Sequence, residues 1–310
     1  ELSERLQVPV LLRLVTRLAH SRAAVRAAPR RPPNDAGWVP DPQRFTLIPV
    51  NARRAYAALV DKQPALLAWS TGHAGNALTL RGSGLPGILV SGIAWNYLQE
   101  ALGDQLAGYN VLRIGAYPLP VASVRALMDA SSSITVVEEG YPVIERLVSA
   151  GGLMRERPIL GKLTGALPRT GELGPDAIRR CFGLPVAPVL QLQGLAEVLV
   201  GRPPRLCDKC PHTDSYLAIQ QVLAGLGGDL RVMGDIGCYS LGALAPLQAI
   251  HACLCMGASI GMAIGAAHAG MVPALAVIGD GTFTHSGMAP LLDAVRENVP
   301  VKVFILDNAI

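Results

Sequence analysis

The chain has 310 residues, of which 50% are apolar, 16% are charged and 5% are aromatic, and its formal net charge is +4. This length suits roughly two domains, and the abundant glycine and alanine favour α/β domains whose helices pack closely on parallel sheets. The modest charge, without a Lys/Arg cluster interleaved with aromatic residues, excludes a typical nucleic-acid-binding protein.

Three features bear on cellular location. Residues 236–279 contain no Asp, Glu, Lys or Arg, a stretch long enough to cross a bilayer. Two prolines and two histidines interrupt it, so a buried core is predicted rather than a membrane span. No secretory signal pattern opens the chain, and six unevenly spaced cysteines do not suit a disulfide framework. We expect a cytoplasmic protein with reduced, buried thiols, and a metal site is left open.

The first half of the chain predicts one α/β domain between two linkers. Residues 8–15 predict a strand, and residues 25–84 predict a linker with a helix near residues 50–62. Over residues 85–155 three strands, "GILVSG", "YNVLRIG" and "SITVVEEG", each precede a helix of about ten residues. This alternation predicts βαβ units and a parallel sheet. The consecutive Glu138 and Glu139 point to opposite faces of their strand, so they are predicted to be interface or capping residues.

The second half predicts a loop-rich linker over residues 156–200 and a second α/β domain over residues 201–310. Helices are predicted from "TDSYLAIQQVLAGL", "CMGASIGMAIGAAHAG" and "GMAPLLDAVREN". Strands are predicted from "DLRVMG", "PALAVIG" and "VKVFIL".

The clearest chemical signal is Gly-Asp-Gly at residues 279–281. Asp280 ends a buried strand, and Asn308 follows the next strand, 28 positions later. Neighbouring parallel strands open their carboxyl ends on one edge of the sheet, so the two side chains can converge there. Carboxylate and amide oxygens suit Mg²⁺, and the glycines permit a sharp turn beside a bulky anion. A strand-end turn whose Asp caps a helix is the alternative.

Other candidates surround this motif in sequence. Cys207 and Cys210 form a CxxC pair that suits one edge of a zinc or iron–sulfur site, and Cys238 can approach them. No fourth cysteine is obviously placed, so free thiols lining a cofactor pocket are favoured. Gly257 and Ser259 open a small-residue helix whose N-terminus suits a diphosphate, and tight packing on the sheet is the alternative.

The GDG…Asn spacing resembles the Mg²⁺–diphosphate motif of thiamine-diphosphate enzymes. Three further segments, "RPPRLCDKCPHTDSYLAI", "GDIGCYSLG" and "CMGASIGMAIG", resemble the α subunits of the indolepyruvate:ferredoxin oxidoreductase family. The resemblance implies Asp280, Asn308 and the carbonyl of Ile310 as Mg²⁺ ligands, although Asp307 stands where many members have a first asparagine. It places His212 near the reactive ring of the cofactor, as a donor to the substrate carboxylate or a proton shuttle, and a purely structural histidine is the alternative. The other cofactor-binding residues that it implies are Cys210, Gly237, Cys238, Gly257, Ser259, Gly279, Gly281 and Thr282.

The resemblance also implies an activity. This is oxidative decarboxylation of aryl 2-oxo acids such as indolepyruvate with coenzyme A, giving aryl-acetyl-CoA, CO₂ and reduced ferredoxin. The implied cofactors are thiamine diphosphate and Mg²⁺, with a 4Fe–4S cluster left open, and the implied partners are a β subunit and ferredoxin. A non-oxidative thiamine-dependent 2-oxo acid decarboxylase and a non-catalytic cofactor-binding subunit are the alternatives.

The implied fold is transketolase-like, with parallel-sheet domains in series. Residues 1–24 resemble the end of a pyrimidine-binding domain, residues 85–155 a transketolase-C-terminal-like domain, and residues 201–310 a truncated diphosphate-binding domain. We therefore expect a fragment that lacks the cofactor-activating glutamate and a C-terminal ferredoxin-like domain.

Overall fold

The computed structural model describes residues 2–30, 32, 40–150, 157–186, 188, 194, 204–227 and 231–308. The chain divides into two units, residues 1–190 and residues 191–310. Each unit contains its own sheet, in which the strands are mainly parallel. The predicted α/β class is confirmed.

The sheet of the first unit has five strands in the order β1-β3-β2-β4-β5. Only β1 runs antiparallel to its neighbour, and the other pairings are parallel. The strands are β1 (Ala77–Thr79), β2 (Leu85–Ser91), β3 (Asn110–Ile114), β4 (Ser131–Val137) and β5 (Ile159–Leu160). The three strands predicted within residues 85–155 are confirmed.

Helices cover both faces of this sheet. Ile88 and Val90 of β2 pack with the helices Ala94–Leu102 and Pro175–Cys181, whereas Leu89 between them packs with the helices Val121–Ala130 and Val143–Ala150. This is expected because successive residues of a strand point to opposite faces. The helices of the unit are α1 (Leu2–Leu6), α2 (Thr16–Ala19), α3 (Pro42–Phe45), α4 (Pro49–Thr71), α5 (Ala94–Leu102), α6 (Val121–Ala130), α7 (Val143–Ala150) and α8 (Pro175–Cys181).

The first unit corrects one prediction and extends others. Residues 8–15 form no strand but lie as a loop between α1 and α2. Leu11 and Leu12 are 92% and 87% exposed, because this apolar run has neither a strand to pair with nor a face to bury. The helix expected near residues 50–62 extends over Pro49–Thr71, and β1 and β5 lie within the ranges predicted as linkers. The domain boundaries themselves stay predictions.

The sheet of the second unit has four parallel strands in the order β7-β6-β8-β9. These strands are β6 (Val232–Gly234), β7 (Ala252–Cys253), β8 (Ala274–Gly279) and β9 (Val301–Leu306). Every residue of β8 is buried, as expected of an inner strand covered on both faces. The three predicted strands are confirmed, and β7 had no signal because it has only two residues.

The predicted helices of this unit are confirmed as well. They are α9 (Pro211–Leu226), α10 (Ala258–His268), the single turn α11 (Asp280–Thr282) and α12 (Met288–Arg296). A π-helical segment joins α11 to α12, and a 3₁₀ segment spans Cys238–Ala243. Within the described ranges, no helix has the length and apolar character needed to cross a membrane.

Candidate functional site at the carboxyl edge of the second sheet

Asp280 and Asn308 follow two strands that are hydrogen-bonded to each other. β8 and β9 pair in parallel from Ala274↔Val301 to Gly279↔Leu306. Asp280 comes directly after Gly279, and Asn308 comes two residues after Leu306. The predicted pairing is thus confirmed, and both residues lie at the carboxyl edge of the sheet, where open α/β sheets bind ligands. Ile310 lies outside the described residues.

The Asp280 carboxylate is free of protein donors in the part of the chain that the structure describes. Asp280 begins α11 and is partly exposed, and the hydrogen bonds given for it are accepted by its backbone carbonyl, from the Phe283 N–H and the Thr284 hydroxyl (3.2 Å). Apart from its chain neighbours and the backbone of its own turn, no described heavy atom lies within 4 Å of the place that a Cβ on Gly281 would take. An uncommitted carboxylate beside an amide at an open edge matches the oxygen donors that Mg²⁺ prefers.

A second strand-end carboxylate, Asp235, is fully buried and fully used. It follows β6, and its Oδ2 accepts hydrogen bonds from the backbone N–H of Gly257 (3.2 Å) and the hydroxyl of Ser259 (3.0 Å). Its Oδ1 accepts the hydroxyl of Tyr239. Asp235 therefore joins the loops after β6 and β7, and we call this arrangement the Asp235 hub.

Tyr239 extends the hub to the loop after β8. Its hydroxyl lies 3.2 Å from Thr282 Oγ1, and its ring fills the space beside Gly237 and Gly279, where a Cβ on either glycine would overlap the ring. Burial, followed by the hydrogen bond to Asp235, raises the pKa of the Tyr239 hydroxyl to about 12. The phenol therefore stays protonated and donates to Asp235 at neutral pH.

Gly257 and Ser259 are the two predicted diphosphate ligands that belong to the hub. Gly257 precedes α10 with φ of 83°, in the left-handed region that favours glycine, and a Cβ there would overlap the Ser286 side chain. Ser259 is fully buried. The packing of α10 on the sheet that was considered from the sequence is shown by Ile260 and Ala263, which lie in one core cluster with β8 residues. Gly257 and Ser259 instead donate to Asp235, and their contact with a diphosphate stays a prediction.

His212 lies in the first turn of α9 and is only 2% exposed. Its ring stands edge-on to that of Tyr239, with centroids 6.1 Å apart and an interplanar angle of 87°. The hub thus holds the predicted catalytic histidine close to the loops after β6 and β8. The proton-transfer role itself stays a prediction.

The cysteines correct one prediction. All six are free thiols, as expected, but they are not buried: Cys207, Cys238, Cys253 and Cys255 are exposed, and Cys181 and Cys210 are partly exposed. Five of them lie on loops or element ends, whereas Cys181, at the end of α8, packs partly buried against the core of the first unit. Among the residues that the structure describes, no group of three or more His, Cys, Asp or Glu side chains is arranged to hold a metal ion.

Glu138 in the first unit shows what else a strand-end carboxylate can do. It follows β4 and accepts the backbone N–H groups of residues 143, 144 and 145, at 2.9–3.0 Å, so it caps α7. Glu139 accepts the N–H of Leu173 (3.1 Å). The predicted capping role is confirmed for Glu138.

Comparisons with known proteins place this geometry in a family. Residues 235–310, from Asp235 through Asn308, match the C-terminal TPP-binding domain of thiamine pyrophosphate enzymes. The indolepyruvate oxidoreductase subunit IorA of Methanothermobacter thermautotrophicus is 36% identical over 317 residues, covering 99% of this chain and 51% of that protein. The IorA subunit of Archaeoglobus fulgidus is 32% identical, covering 100% of this chain and 51% of that protein.

Over nearly its whole length, the chain is therefore similar to the IorA subunits. It spans about half the length of the IorA subunits that it matches. A 2-oxoglutarate:ferredoxin oxidoreductase from Magnetococcus marinus also aligns with 37% of this chain and 21% of its own, at 16% identity and a TM-score of 0.29. This alignment is too partial to support a conclusion about the site or the activity.

The sequence motifs did not predict that Asp235 joins the loops of the candidate site. A usable signal was present, because Gly-Asp follows an apolar strand twice, at residues 234–235 and 279–280. The two carboxylates differ only in three dimensions, since Asp235 is enclosed by donors and Asp280 is not.

Proposed function

We propose that this chain supplies the Mg²⁺–diphosphate part of a thiamine-diphosphate site in an IorA-type oxidoreductase. The observation that supports this most directly is the register of β8 and β9, which puts Asp280 and Asn308 at one edge of the sheet. The free Asp280 carboxylate and the match of residues 235–310 to a TPP-binding domain agree with it.

The residues present fit the cofactor by their donor chemistry. Asp280 and Asn308 would hold Mg²⁺ through hard oxygens, together with the carbonyl of Ile310. Gly279, Gly281 and Thr282 would border the diphosphate. Thiamine diphosphate, when bound, supplies the electron sink that decarboxylation of a 2-oxo acid needs.

We propose aryl 2-oxo acids such as indolepyruvate as substrates, with coenzyme A as acyl acceptor. Aryl-acetyl-CoA, CO₂ and reduced ferredoxin would be the products, and a β subunit and ferredoxin the partners. The support is the name of the relatives, indolepyruvate oxidoreductase. His212, buried against Tyr239, would donate to the substrate carboxylate or move a proton near the reacting carbon.

The sequence left open a 4Fe–4S cluster on Cys207, Cys210 and Cys238, but the described residues include no group of three or more side chains arranged to hold a metal ion. Iron and acid-labile sulfide measured in anaerobically purified protein test it. Four irons and four sulfides per chain, lost in Cys207→Ser, would support it, and absence of both would refute it.

Calorimetric titration of the 310-residue chain with thiamine diphosphate tests the cofactor proposal. We expect saturable binding with Mg²⁺ that is lost when EDTA removes the metal. Asp280→Ala should weaken it by about 100-fold or more, about 3 kcal/mol, because a charged metal ligand is removed.

Asp293→Ala is the matched control, because Asp293 is an exposed aspartate on α12 whose nearest cation is Arg296 at 3.8 Å. It should bind the cofactor like the wild type. Failure of the wild-type chain to bind, or equal binding by Asp280→Ala, would refute the proposal.

A further inference from the structure

The loops around the candidate site are held by a carboxylate that cannot itself reach a ligand. Asp235 has no exposed surface, and both of its oxygens already accept hydrogen bonds. Burying a carboxylate costs free energy unless hydrogen bonds compensate for the lost water. The carboxylate of Asp235 therefore keeps its three donors in place. Asp235 can therefore act on a ligand only through the groups that it holds.

We propose that Asp235 is a positioning residue for the cofactor site, a role that rests on the proposed binding of thiamine diphosphate. Asp235 directly fixes two loops, its own loop after β6 and the loop after β7. Its Oδ2 holds the turn from Gly257 to Ser259 that opens α10, and its Oδ1 holds Tyr239.

Tyr239 carries this constraint to the metal-binding turn. Its hydroxyl reaches Thr282, two residues after Asp280, and its ring packs against Gly279, the residue before Asp280. The residues on both sides of Asp280 therefore contact one side chain that Asp235 orients. His212 packs on the same ring, so the predicted proton-transfer group is held by the same contact.

Two substitutions at position 235 distinguish a role of the hydrogen bonds of Asp235 from a role of its negative charge. An asparagine at position 235 can still accept from Gly257 and Ser259 through its oxygen. Its NH₂ can donate to the Tyr239 hydroxyl oxygen, whose proton can turn to Thr282 Oγ1 (3.2 Å) or the Ile236 carbonyl (3.3 Å). Alanine offers none of these bonds.

The test is calorimetric titration of Asp235→Asn and Asp235→Ala with thiamine diphosphate and Mg²⁺. The temperature is chosen so that circular dichroism shows each cofactor-free variant fully folded, which separates cofactor affinity from folding. We expect Asp235→Asn to bind within about threefold of the wild type and Asp235→Ala to bind at least about tenfold more weakly.

Two outcomes would overturn the positioning role alone. Wild-type affinity in Asp235→Ala would show that the hub does not matter to the cofactor. Equal losses in both variants would show that the charge, and not the hydrogen bonds, is what the site needs. If the wild-type chain itself does not bind, the proposed function fails, and the positioning role fails with it.

Single donors test the same point if Asp235→Ala does not fold. Tyr239→Phe and Ser259→Ala each remove one hydroxyl from the hub and should each weaken cofactor binding about threefold. Ser215→Ala is the control, because its hydroxyl donates to the Pro211 carbonyl one turn earlier on α9 (3.3 Å) and to no group of the hub, and it should bind like the wild type. Wild-type affinity in both hub variants would overturn the inference.

Discussion

Glu138 in the first unit and Asp280 in the second each follow a buried parallel strand directly. Their carboxylates nevertheless differ in whether protein groups donate hydrogen bonds to them. Glu138 accepts three backbone N–H groups at the start of α7, whereas the Asp280 carboxylate has no donor among the described residues. The difference comes from the turn that follows. α7 starts five residues after Glu138, so the chain folds back over the side chain, whereas α11 starts at Asp280 itself.

Asp235 is the intermediate case. It also follows a strand, and its donors come from a neighbouring loop and from Tyr239 rather than from a helix that it begins. A carboxylate at a strand end is thus structural when nearby N–H and O–H groups enclose it, and available for a ligand when they do not. The predictions below test this distinction, from the largest expected effect to the smallest.

Glu138→Ala should destabilise the first unit by about 3 kcal/mol, because two buried N–H groups and one partly buried N–H group lose a charged acceptor. The measurement is urea unfolding followed by tryptophan fluorescence, since Trp69 on α4 and Trp95 on α5 belong to this unit. Glu100→Ala, at an exposed site on α5, should change the unfolding free energy by less than about 0.5 kcal/mol. Equal stability of the two variants would contradict the capping role.

Gly257→Ala should destabilise the second unit by about 2 kcal/mol. Alanine is strained at φ of 83°, and its Cβ meets Ser286. Gly261→Ala is the matched control in the middle of α10, where a Cβ meets nothing within 4 Å, and it should stabilise by about 0.5–1 kcal/mol. Hydrogen exchange of peptides from α10 measures both, and the same sign for the two variants would contradict the assigned turn.

Tyr239 should make the second unit lose stability as pH rises from 10 to 12. The pKa of its hydroxyl is about 12 in the folded chain and about 10 when unfolded. Above pH 10 the unfolded chain gives up its proton first, so the free energy of unfolding falls, by about 1 kcal/mol at pH 11. Urea unfolding of Tyr239→Phe, followed by circular dichroism, should lack this part of the pH dependence, and an unchanged slope would contradict the pKa shift.

Asp280→Ala should have the smallest effect on stability, within about 0.5 kcal/mol without cofactor, because the carboxylate it removes has no protein partner in the described chain. Thermal unfolding monitored by circular dichroism measures this. A loss of stability as large as that of Glu138→Ala would show that Asp280 is a helix cap. It would then not differ from Glu138 in being available for a ligand.

Much of the fold could be read from the sequence because the signals were periodic. The alternation of strands and helices predicted both parallel sheets, and the spacing from Asp280 to Asn308 matches the register of β8 and β9. The strand predicted over residues 8–15 was wrong, because an apolar run shows the tendency to form a strand but not whether a partner strand exists. The Asp235 hub depends on which groups meet across loops 22 to 24 residues apart, and local pattern does not encode this.

The Tyr239 ring between Gly237 and Gly279 also limits how relatives of this chain can vary. A side chain at either glycine would overlap the ring, so such a change can be accepted only where position 239 has become smaller. A smaller residue at 239 would in turn remove the hydroxyl from Asp235 and leave space beside both turns. The three positions should therefore change together during evolution, although two of them lie about forty residues from the third along the chain.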